Sequence, residues 1–303
     1  MRHTAITVVL LLAAAAEAHA QAWVGDTGAL DLSLDYNLGI SNKVVCDSDC
    51  GTGSDEFPDG GTTTHQFTLA AEYTPIRALA VNVSLPIAML KYTGDQTIYP
   101  HTGGGSYDDG DLHTTLTDLR LGARYQVLDE PFALAPHLAF SIPVADYETV
   151  GNTVAGRHLK MLHVGLGAGR LIGDATYVHL LYEFTLAEKY DRTEETATHS
   201  QNRSDLAFTI GHKLLDYRLD IHLDANLRRT HGGVKFGEFA DLSANEIMYH
   251  DAILDEDVLL AGGGIGYQIT NALQLNLSAR LFLTGAETQN ASVFALGIDW
   301  SPL

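Results

Sequence analysis

Beyond Gln21, apolar and polar residues alternate along nearly the whole chain, the period-two pattern of a strand with two unlike faces. Leu30, Leu32, Leu34, Tyr36 and Leu38 share one face, and Asp31, Ser33, Asp35 and Asn37 share the other. Leu119, Leu121, Ala123, Tyr125 and Val127 oppose Asp118, Arg120, Gly122, Arg124 and Gln126 in the same way. The pattern is clearest in Leu219, Ile221, Leu223, Ala225 and Leu227 against Asp220, His222, Asp224, Asn226 and Arg228. Segments of this kind predict twelve strands, near 28–40, 63–74, 79–92, 113–128, 132–144, 157–172, 175–188, 203–215, 218–230, 257–269, 272–285 and 289–300. Most exceed the ~9–11 residues that a tilted strand needs to cross a bilayer.

The connections alternate as well. Every second one is tight: Pro75-Ile76-Arg77, Asp129-Glu130-Pro131, Gly173-Asp174, Asp216-Tyr217 and Thr270-Asn271. The others are mostly long and polar, at 41–62, 93–112, 145–156, 189–202 and 231–256, with only 286–288 short. Short turns at one end and long loops at the other are the plan of an up-and-down outer-membrane barrel. Tyr73, Tyr125, Phe132, Tyr177, Tyr217, Tyr267 and Trp300 all fall near the short turns or the closing strand, as an interfacial aromatic girdle would. A secreted β-sandwich would alternate too, but it does not need twelve long strands with every second connection tight. The expectation is therefore an all-β fold: an up-and-down antiparallel transmembrane β-barrel of about twelve strands in the bacterial outer membrane.

The first residues carry a different signal. Met1-Arg2-His3 is a short basic start, Ala5 to Ala16 is largely apolar, and Ala18-His19-Ala20 is a small-x-small cleavage site. Residues 1–20 are expected to be a signal peptide and 21–303 the barrel. The apolar run is too short to span a bilayer as a helix.

Composition narrows the function. Of 303 residues, 18 are Lys or Arg and 38 are Asp or Glu, for a formal charge of −20, which excludes a nucleic-acid partner. Only 18% of residues are charged and 46% are hydrophobic, so the chain is not disordered, and two cysteines do not make a disulfide scaffold.

Several segments are shared with known barrels: Leu79-Ala80-Val81-Asn82-Val83-Ser84-Leu85-Pro86, Asp118-Leu119-Arg120-Leu121-Gly122-Ala123-Arg124-Tyr125, Leu138-Ala139-Phe140-Ser141-Ile142-Pro143 and the closing Phe294-Ala295-Leu296-Gly297-Ile298-Asp299-Trp300. Through these, most of the mature chain resembles the outer-membrane barrels of the phenol-degradation (meta-pathway) family. The resemblance implies a channel for small, often aromatic or apolar, compounds. It also implies insertion by the barrel assembly machinery, which reads a terminal aromatic residue. Here the chain continues past Trp300 as Ser301-Pro302-Leu303.

If apolar residues face lipid, the lumen receives Asp31, Asp35, Glu72, Asp118, Arg120, Arg124, Glu183, Asp205, Lys213, Asp220, Asp224, Arg228, Arg280 and Asp299. Nine acids against five bases predict a slightly acidic lining and a mild cation preference. Cys46 and Cys50 are expected to form a local disulfide in an oxidising compartment. The acidic stretch around them lacks calcium-loop spacing, so no metal is assigned there. Other acidic loop residues would meet solvent or the cations of lipopolysaccharide. No cofactor is expected, and an enzyme is disfavoured: no His-Glu-x-x-His motif or Gly-x-Ser-x-Gly elbow occurs. His199-Ser200-Gln201-Asn202 is faintly similar to the His/Ser/Asn chemistry of outer-membrane phospholipase A. Neighbours on a strand, however, point to opposite faces. The Gly-x-Gly strings at 165–169 and 262–266 are expected to admit neighbouring side chains into the lumen or to relieve curvature. The predicted function is passive uptake of small-molecule solutes. The alternatives are a non-conducting structural or adhesive barrel and, behind it, an outer-membrane hydrolase.

Overall fold

The computed structural model describes residues 22–47, 54, 56–94, 107–190, 199–241 and 248–302. The expected signal peptide and Cys50 lie outside the described residues. The strands are β1 (Leu30–Val45), β2 (Glu56–Ile76), β3 (Leu79–Tyr92), β4 (His113–Leu116), β5 (Asp118–Tyr125), β6 (Ala133–Pro143) and β7 (Met161–Ile172). They continue as β8 (Thr176–Ala187), β9 (Asn202–Leu214), β10 (Leu219–His231), β11 (Asp257–Thr270), β12 (Leu273–Ala286), β13 (Thr288–Gln289) and β14 (Ser292–Trp300). A 3-10 turn, Phe236–Asp241, and a one-turn helix α1 (His250–Ile253) lie between β10 and β11.

Neighbouring strands pair antiparallel in chain order, and β1 closes the sheet by pairing with β14 on one side and β2 on the other. β4 and β5 are two halves of one stave broken at Thr117, and β13 is a short spur, so the barrel has twelve staves. Closure leaves no unpaired edge, which is what a strand protein in hydrocarbon requires. The seam keeps like faces together: Leu34 lies opposite Ile298, Asp35 opposite Gly297, and Tyr36 opposite Leu296.

The alternation sorts solvent as expected of a membrane barrel. Leu69, Leu138, Leu223, Leu277 and Leu281 each leave more than half their surface uncovered on the outside. The inward row of β2, Thr62, Thr64, Gln66, Thr68 and Glu72, is buried. So extensive an apolar exterior would be an aggregation liability in water and is the matched surface in lipid. Tyr73, Tyr125, Phe132, Tyr217, Tyr267 and Trp300 are all exposed near the short-turn end.

The structure departs from the sequence reading at several places. Tyr177 does not join the outer girdle. It shares the inward face of β8 with His179 and Glu183, its ring lies over Gly211 of β9, and its hydroxyl donates to Asp220 at 3.0 Å. Glycine at 211 is what leaves room for that ring. β2 begins at Glu56 rather than near 63, because residues 56–62 pair with 41–45 and lift one hairpin above the rest of the wall. Conversely, β7 begins only at Met161, and residues 144–160 leave the wall and turn inward. The turn between β9 and β10 places Leu215, Asp216 and Tyr217 at φ of 51°, 54° and 68°, a left-handed run held by the hairpin register from Leu214 to Leu219. Such residues cost roughly 1–2 kcal/mol each, which the closed ladder around them absorbs.

Candidate transport chamber

The barrel encloses a cavity of about 290 Å³ whose wall comes from β2, β3, β5 to β10 and the β13 spur, and whose upper boundary comes from the inward-folded loops. The roof is the segment 144–160. Tyr147 is 2% exposed, and its hydroxyl donates to Asp118 at 2.7 Å while accepting the His158 N–H at 2.8 Å. The segment then crosses the mouth. The Thr149 hydroxyl meets that of Tyr190 at 2.8 Å, Asp108 accepts the Asn152 N–H at 2.7 Å, and Thr153 meets Thr62 of β2 at 3.0 Å. A second layer packs above it. Val44, Cys46, Leu159, Met161, Tyr190, Val234, Phe236 and the 252–254 stretch form one buried apolar cluster, a small core built from loops and the strand ends beside them.

The floor is the segment before β1. Ala22 is fully buried, and the Val24 N–H donates to Gln126 Oε1 at 2.8 Å. Gly169 on the inward face of β7 makes this possible: a Cβ there would lie 2.5 Å from Trp23 Cη2 and 3.0 Å from Ala22 Cβ. Gly167 faces Ala22, and Gly165 leaves room for the His137 ring. The glycine string of β7 thus admits side chains and chain to the lumen.

Between roof and floor lies a charged belt. Glu183 is its centre. Arg120 donates to both carboxylate oxygens, at 3.2 and 2.6 Å, His137 Nε2 is 2.7 Å from Oε2, and His163 Nδ1 is 2.9 Å from Oε1. Asp205 accepts from Arg228 Nε at 2.7 Å and lies 3.1 Å from Arg203 Nε. Arg157 descends from the roof and, among the described residues, reaches only long partners: Gln201 O and Thr230 Oγ1 at 3.4 Å, and Glu256 at 3.7 Å. Burial pulls the Arg157 guanidinium down to about 10, so it remains cationic at neutral pH.

The residues singled out from the sequence fall at different heights. Asp118, Arg120, Arg124, Glu183 and Arg228, with Asp205, line the cavity itself. Glu72 pairs with Arg124 below it, and Asp224 with Arg280. Asp31, Asp35, Asp220 and Asp299 lie toward the short-turn end. There Ser301 donates to Asp31, Asn276 donates to Asp299 at 2.6 Å, and His222 Nδ1 is 2.9 Å from Asp220. Lys213 sits at the rim and is exposed. The acid excess counted from sequence is therefore concentrated near the floor, while the cavity wall carries five arginines and five acids. The pattern of the sequence does not single out Arg157, Arg203, His137 or His163. Arg203 does share the face of Asp205 two residues on; Arg157 sits in a loop, where alternation is silent.

One array has the atom order of an acyl-transfer relay. Ser141 Oγ is 2.8 Å from His163 Nε2, whose Nδ1 faces Glu183. The main chain around Ser141 is committed to ladders with β5 and β7, so the strand offers no free N–H pair to hold an oxyanion. Among the described residues, no cluster of three or more His, Cys, Asp or Glu side chains forms a metal site.

No protein-family model and no curated protein matches the chain. Solved structures do. The COG4313 outer-membrane channel from Pseudomonas putida F1 superposes with a TM-score of 0.70 at 13% identity, covering 92% of this chain and 97% of that one. The fold is that of a bacterial outer-membrane β-barrel. The β domain of the Bordetella autotransporter BrkA follows at a TM-score of 0.51 and 12% identity, covering 90% of this chain and 99% of that one. The NanC porin reaches 0.48 at 7% identity over 89% and 98% of the two chains. The solved neighbours do not confirm the phenol-degradation family name. Together with the apolar exterior, the fold places the chain in the outer membrane.

Proposed function

We propose that this barrel is a passive channel for uptake of small molecules, apolar or aromatic ones included, and not an enzyme. The observation that carries the reading is the chamber: a closed barrel that keeps a cavity of about 290 Å³ between a roof and a floor, each made of chain folded in from an end. A barrel serving only as a wall or an adhesive display would have its interior filled by side chains, as narrower barrels do. Alanines and glycines on the inner face (Ala70, Ala135, Ala139, Gly167, Ala207) keep it open. Residues 1–20 as an export signal, the barrel assembly machinery, and contact of the acidic loops with lipopolysaccharide belong to the same proposal. Liposomes containing the purified protein should swell in small neutral solutes and exclude larger sugars. Unchanged swelling relative to empty liposomes, with no conductance in planar bilayers, would instead support the structural or adhesive barrel.

A further inference from the structure

We propose that the chamber is a binding site for a small organic carboxylate, received by the guanidinium of Arg203 beside that of Arg157. This rests on the channel reading and names the class of solute. Arg203 is 9% exposed and lines the cavity. Among the described residues, its one charged contact within ion-pair distance is through Nε, at 3.1 Å from Asp205 Oδ2. Among the described residues, its terminal nitrogens make no hydrogen bond, although a guanidinium carries five N–H donors in a fork that fits a carboxylate. A buried cation left in this state incurs desolvation without full return. A carboxylate across the fork would supply the missing acceptors.

The other charged groups of the chamber are committed. Glu183 is held by Arg120, His137 and His163. Asp205 is taken by Arg228, Asp118 accepts the Tyr147 hydroxyl, and Glu256 accepts from Thr288 at 3.1 Å. Arg157 adds a second cation whose contacts among the described residues are 3.4 Å or longer, so it can turn toward a ligand at little loss. The wall is balanced in charge, with five arginines and five acids, so an entering anion does not meet the repulsion that the chain's overall charge of −20 would suggest. The rest of the ligand is set by space. Ala135, Ala139, Ala155, Ala207, Met161 and Leu254 give apolar wall, and the volume is at the small end of ligand pockets, suited to a single ring or short chain.

The test uses benzoate, its neutral near-isostere benzamide, and inorganic phosphate, titrated calorimetrically into the detergent-solubilised full-length mature protein. Benzoate should bind saturably at one site, while benzamide and phosphate should bind about tenfold more weakly or not at all. Arg203→Gln should weaken benzoate by about tenfold or more without altering benzamide. Arg157→Gln, in the roof and outside the barrel wall, should weaken it less and supplies a variant whose folding does not depend on the staves. Equal binding of benzoate and benzamide, phosphate binding as tightly as benzoate, or benzoate binding indifferent to both substitutions would overturn the proposal. Bilayer conductance of the same preparation separates the failures: a conducting protein that ignores benzoate refutes this site alone. A silent protein refutes the channel.

Discussion

Replacing Gly169 by leucine should expel the N-terminal segment from the barrel. A Cβ at 169 would already lie 2.5 Å from the Trp23 ring and 3.0 Å from Ala22, and leucine adds three further carbons behind it. Overpacking of this kind costs ~1–3 kcal/mol where the surroundings cannot yield. The segment's hold on the wall is of similar size. The Val24–Gln126 hydrogen bond, 2.8 Å long, contributes ~0.5–1.5 kcal/mol. Partial burial of Trp23 contributes roughly 1–2 kcal/mol. The wall is fixed by ladders on both sides of β7, so the segment is the part that moves. Every ~1.4 kcal/mol shifts the in/out ratio tenfold. The substitution should therefore convert a mostly occluded barrel to a mostly open one. Single-channel recordings should show larger or longer openings. A cysteine placed at Ala22, fully buried in the native chain, should become reactive to a water-soluble thiol reagent. Arg170→Leu, on the outward neighbour, should do neither. Native-like current together with a protected Ala22→Cys thiol in the Gly169→Leu protein would refute this account of the floor.

Leu223→Arg, on an outward position 65% exposed, should destabilise refolding by ~2–4 kcal/mol near the bilayer midplane, whereas Asn226→Asp on the inward face should refold normally; the heat-modifiable gel shift reads both. Non-reducing mass mapping should find Cys46, buried in the loop core, joined to Cys50, and two alkylatable thiols would refute the pairing. The Asp109 carboxyl is held below the usual carboxylate range first by its hydrogen bond from His113 and then by the Asp111 N–H. A lowered folded-state pKa gives stabilisation that is present above the ordinary carboxylate pKa and lost as pH falls through the depressed value. Hydrogen exchange of residues 107–113 should therefore stay slow through mild acid and accelerate only below the normal Asp range, and acceleration beginning near neutrality would contradict it.

The wall of this barrel was legible because hydrocarbon demands alternation: every stave that meets lipid must show apolar residues at period two, and the twelve predicted segments fall on the twelve staves. What lies inside was less legible, for the same physical reason. The lumen is wet and mixed, so inward positions tolerate Gly, Thr, His or Arg alike, and Asp205 and Arg203 do not differ in pattern from Lys213 at the rim. Residues 144–160 and 22–29 carry the roof and floor through turns and side-chain hydrogen bonds, which impose no period. The glycines at 165, 167 and 169 carry a stronger inward signal, since three missing side chains on a single face imply something else in their place. Tyr177 shows the limit of reading aromatics by distance from a turn: one residue of parity sends the ring inward instead of to the interface.

The central claim is that solute and ion flow passes through the chamber. Ala207 lines it, and Leu206, the preceding residue on β9, faces outward and is exposed. In a background with Cys46 and Cys50 replaced by serine, single cysteines at these two positions can be compared in a planar bilayer while a charged methanethiosulfonate reagent is added. Flow through the chamber predicts a stepwise, reductant-reversible change in current for Ala207→Cys and none for Leu206→Cys. Modification of Ala207→Cys, verified by mass, that leaves the current untouched would contradict it.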